Sequence, residues 1–83
     1  MTNKISIKKL GPNQTLLRGP MFDVLFSYEI PVAGFITGDG YFRTKEKFSN
    51  TTTKHINKWL KENQAENVDV ISQEEIYKIL ETP

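Results

Sequence analysis

The chain has 83 residues, no cysteine, 25% charged residues and a formal net charge of +1 at pH 7. Those values fit one small domain over residues 1–83 and exclude a disulfide framework, a thiolate metal site and a cysteine nucleophile. A near-neutral total argues against a tight, non-specific duplex binder, and the apolar stretches are far too short for a membrane span or a leader segment.

The first half reads as strands and turns. Ile5 and Ile7 alternate with Lys4, Ser6 and Lys8, which predicts a half-buried strand. Gly11-Pro12-Asn13 breaks it, and Thr15-Leu16-Leu17 returns. The clearest strand follows: Phe22, Val24, Phe26 and Tyr28 form a core face, and Asp23, Leu25, Ser27 and Glu29 a mostly polar one. Pro31 cannot donate to a ladder and predicts a bulge or a sheet edge there. Val32 to Thr37 resumes the strand, and Gly38-Asp39-Gly40 turns it into the returning arm Tyr41-Phe42-Arg43-Thr44. Gly34, Gly38 and Gly40 read as turn glycines, because their spacing matches no phosphate or dinucleotide loop.

The second half switches period. Thr52, Ile56, Trp59, Leu60 and Asn63 share one side of a helix from about Thr51 to Asn63, capped by Thr51, Ser49 or Asn50. Val68-Asp69-Val70-Ile71 is a short strand or connector. Ser72 with Glu75 forms a capping box opening a last helix, Gln73 to Glu81, with Ile76, Ile79 and Leu80 inward. The fold class is therefore α+β: an antiparallel meander of about four or five strands against one amphipathic helix, with a short C-terminal helix closing an edge or an end.

Charge is split along the chain. Arg43 to Lys61 holds six basic residues and one acid, a net of +5, whereas Glu62 to Pro83 holds six acids and one lysine, a net of −5. Such blocks either pair with each other or bind a partner. Lys54, Lys58 and Lys61 fall at i, i+4 and i+7, opposite Ile56, Trp59 and Leu60, so they line the outer face of the helix. With Arg43, Lys45 and Lys47 just upstream they can track a phosphate backbone, and Tyr41 beside Arg43 is the candidate for base stacking. The plain alternative is a solvated helix face. His55 is the sole histidine; with no cysteine or carboxylate cluster it makes no metal site, and it reads as a boundary residue bonded to a strand or a cap.

Residues 27–60 carry Ser27-Tyr28-Glu29-Ile30-Pro31-Val32-Ala33, Gly40-Tyr41-Phe42-Arg43-Thr44, Phe48-Ser49 and Thr51-Thr52-Thr53-Lys54-His55-Ile56-Asn57-Lys58-Trp59-Leu60. This run resembles small uncharacterised proteins of bacteriophages and related mobile elements. The resemblance implies a viral origin and action in the cytoplasm of an infected bacterium; it implies no activity and no site residues.

The functional expectation is a non-enzymatic binding module without a cofactor. Its basic region, Arg43 to Lys61, would contact DNA or RNA. The alternative is a protein-binding module, an adaptor or inhibitor of a host factor, meeting its target through a strand edge near Pro31 or the basic patch. A homodimer through an edge strand is compatible with either.

Overall fold

A computed structural model of the chain describes residues 5–81. Six strands form one sheet in sequence order: β1 (Ser6–Gly11), β2 (Gln14–Arg18), β3 (Phe22–Ser27), β4 (Ile30–Ile36), β5 (Gly40–Thr44) and β6 (Asp69–Ile71). The first five are the antiparallel meander read from the sequence. Helix α1 (Asn50–Glu62) then carries the chain over the sheet, so that β6 returns parallel to β5. A parallel neighbour requires such a crossover, since no tight turn can reverse the chain twice. Helix α2 (Gln73–Glu81) follows.

Both helix starts are local chemistry. Ser49 is the N-cap of α1, its Oγ accepting from the Thr52 amide at 3.1 Å. Ser72 Oγ accepts from the Glu75 amide at 3.1 Å, and the Glu75 carboxylate accepts from the Ser72 amide at 3.4 Å. This is the reciprocal capping box. At the tight turns, Gly38 and Gly40 adopt φ of +93° and +100°, where a Cβ is disfavoured.

The two helices occupy opposite faces of the sheet. Leu16, Leu25 and Ala33 lie in one cross-strand row and bury Ile56 and Trp59 of α1. The next row, Leu17, Val24, Gly34 and Phe42, points the other way, and Val24 and Phe42 there enclose Ile76 of α2. Hence α2 covers a second core face instead of closing an edge or an end. The face of β3 expected to be polar is also interior: Leu25 and Ser27 are buried. A strand covered on both sides loses its clean alternation.

Three other expectations change, and a fourth, at Pro31, resolves to one of its two alternatives. Tyr28 leaves the β3 core face and turns the chain with Glu29, at a φ of +60° and about half exposed. Gly34 is an interior residue of β4, not a turn glycine. Pro31 does sit beside a bulge, since the register slips between Leu25 and Phe26, but β4 lies between β3 and β5, so no sheet edge exists there. The Pro31 carbonyl accepts from Gln73 Nε2 at 2.6 Å, tying the start of α2 to this strand. Finally, β1 is not half-buried: Ile7 is 72% exposed and Ile5, just before the strand, 61%.

Candidate functional site

The basic face of α1 is built by helical spacing. Lys54, Lys58 and Lys61 fall within an arc of about 60° and a rise of ~10 Å, and all three are exposed. The opposite side of the helix is pinned to the sheet by buried Thr52, Ile56 and Trp59. Arg43, on β5, is half-buried beneath the same helix and donates from Nη1 to Asn57 Oδ1 at 3.2 Å. Lys45 and Lys47 are exposed in the segment leading into the helix. Arg43 is thereby fixed beside α1, while the five lysines project into solvent.

Among the described residues the ion pairs are Arg18–Asp23 at 3.5 Å and Glu74–Lys78 at 3.7 Å. Neither joins the basic block to the acidic one. The reason is architectural: Glu74, Glu75 and Glu81 ride on α2, across the sheet from Lys54, Lys58 and Lys61. The sheet holds the acids of α2 apart from the lysine stripe, whereas Glu62, the last residue of α1, lies one turn from Lys58.

Tyr41 is not a free stacking platform. Its ring centroid lies 4.8 Å from Phe35 and 5.7 Å from Trp59, edge-on to the latter. It is partly buried and packs against the core beneath α1. A more accessible aromatic stands nearby, one that neither the charge pattern nor the strand and helix periods mark out. Phe48 is 42% exposed directly before the Ser49 cap, between Lys47 and the helix. An apolar residue in that position ordinarily staples onto an apolar residue four positions inside the helix. Here that position is Thr53, and the mismatch is the signal a sequence reading can use.

His55 behaves as a boundary residue bonded to a strand. Its Nδ1 lies 2.7 Å from Ser27 Oγ, which also lies 3.0 Å from Thr52 Oγ1. Ser27 is only 1% exposed, so this hydroxyl chain ties β3 to α1 in the interior. Replacing Ser27 with alanine leaves the buried Thr52 hydroxyl and His55 Nδ1 without that partner. The expected loss is about 2 kcal/mol, read as a lower urea midpoint with an unchanged slope. No group of three or more potential metal ligands occurs among the described residues, and no helix among them is long and apolar enough to cross a membrane.

An α+β domain with a lysine-lined helix on one side and an acidic helix on the other is thus the class that fold and surface define. Residues 5–78 match the model of a family of unknown function, DUF8033, and the chain belongs to that family. No curated protein and no solved structure matches the chain.

Proposed function

We propose that this protein is a small binding module that contacts DNA or RNA through the outer face of α1 and the segment leading into it. The single observation that carries the reading is the exposed stripe of Lys54, Lys58 and Lys61, which among the described residues forms no ion pair with the acidic block. Lys45 and Lys47 extend it, Arg43 braces its base through Asn57, and Phe48 offers a ring for an unpaired base. The resemblance of residues 27–60 to bacteriophage proteins supports a site of action in the cytoplasm of an infected bacterium.

Fluorescence anisotropy with labelled single-stranded DNA, duplex DNA and RNA, each across a salt series, tests this. Three phosphate contacts on a duplex give a slope of log affinity against log salt of about −2.7. The triple substitution Lys54→Glu, Lys58→Glu, Lys61→Glu should abolish binding while the circular dichroism stays that of the parent, because all three side chains are exposed. Binding that survives the triple change places the contact elsewhere.

A second reading, a module that binds protein, is favoured by the open β1 edge and by exposed Ile5 and Ile7. Failure of all three nucleic acids to bind at low salt, with capture of a defined host protein, would decide for it.

A further inference from the structure

We propose that β1 is the contact of a symmetric dimer, in which β1 of one copy pairs antiparallel with β1 of a second copy. The strand stands first in the sheet and pairs with β2 alone, so its outer row of backbone N–H and C=O groups has no ladder partner. Ser6 to Leu10 are all exposed. Ile7 pairs with Leu17, which pairs with Val24, so Ile7 belongs to the α2 side of the sheet. Helix α2 packs over Val24 and Phe42, further along the sheet, and leaves Ile7 uncovered at 72% exposure. The opposite edge, β6, is three residues long and runs directly into α2, which makes it the poorer template.

The second copy is the occupant because the strand complements itself. A two-fold axis normal to the sheet keeps each face on its own side, so only residues of the same face come opposite. Centred on Ile7, that axis sets Ile7 against Ile7, Ser6 against Lys8, and Ile5 against Lys9. The two isoleucines cover each other, and each Lys9 stem lies along an Ile5 with its ammonium in water. A centre one residue on, at Lys8, brings Lys8 against Lys8, which is repulsive. Lysines on an edge ordinarily deter pairing; here one register avoids their mutual contact. The same axis keeps both α1 helices on one side of a continuous sheet, with both α2 helices on the other. The lysine stripe is then doubled on a single surface.

Pairing through β1 is independent of nucleic-acid binding and is tested without nucleic acid. The chain has no cysteine, so single-cysteine variants report one contact each. Residues directly opposite have Cβ atoms ~4.5–5.5 Å apart, close to disulfide reach. Ile7→Cys should therefore cross-link to itself under mild oxidation. Lys9→Cys should not, since in this register its own copy lies about four residues away, ~13 Å along the strand. Sedimentation of the parent protein should show a concentration-dependent dimer, and Ile7→Lys should weaken it at least tenfold with an unchanged circular dichroism spectrum. A parent that stays monomeric at the highest soluble concentration overturns the proposal. So does Lys9→Cys cross-linking as fast as Ile7→Cys.

Discussion

Gly34→Ala is expected to cost about 3 kcal/mol or more, at or beyond the upper end of ordinary overpacking. A Cβ at this position would collide with the Asp23 carbonyl oxygen and lie 2.5 Å from Cζ of Phe42. The first of these is backbone in the neighbouring strand, held by the β3–β4 ladder. The second is a ring with 3% exposure, enclosed with Ile76 on the α2 face. Neither can retreat without opening the core. A domain of this length has roughly 4–12 kcal/mol of total stability, so the variant stands at the edge of folding. Urea denaturation against the parent measures the loss. Two companions sharpen the reading. Gly38→Ala meets no atom within 4 Å and carries only the strain of its φ of +93°, so about 1 kcal/mol is expected. Gly34→Ala combined with Phe42→Leu relieves the ring but not the carbonyl, so rescue should be partial. Full rescue would mean that the ring alone requires the glycine.

The contrast between those glycines shows what a sequence exposes. Gly38 and Gly40 flank Asp39 between two strand-like runs, and a local turn explains them. Gly34 is required by Phe42, its cross-strand partner, and by Asp23 on the other side, contacts made only once three strands are in register. The same division runs through the molecule. The box at Ser72 and Glu75 and the period of α1 are encoded within a few residues and were legible, whereas the cap was legible only as one of Ser49, Asn50 and Thr51. The coverage of β3 on both faces was not, because Leu25 and Ser27 are buried by α1 residues about 25 to 34 positions later. Yet Phe22 to Ser27 holds apolar residues at both parities, and two amphipathic helices follow. Each helix needs a surface to cover, and apolar residues at both parities offer one on each face of the sheet. In the candidate site, the lysine stripe follows from spacing alone, whereas the engagement of Tyr41 depends on Phe35 and Trp59 converging from β4 and α1.

Ile76→Ala tests whether that second face carries the fold. Ile76 has no exposed surface and packs on Val24 and Phe42, with Phe22, Phe26, Ile36 and Ile71 around them. Removing its outer carbons from a site flanked on one side by a rigid sheet should cost about 3–4 kcal/mol, within the range for Ile→Ala in cores. The nine-residue α2 is too short to persist alone. Its order depends on this burial, and in return it keeps water from the α2-side row of β3, β4 and β5. Losing the helix would therefore expose apolar surface in the centre of the sheet, so one cooperative transition at a lower urea concentration is expected. Trp59→Ala on the opposite face should cost a similar 3–5 kcal/mol. If α2 instead served only as a lid on an edge, Ile76→Ala would cost less than ~1 kcal/mol, or the helix would melt in a separate early transition while the Trp59 signal held. Equal sensitivity on the two faces is what a sheet held between two helices requires.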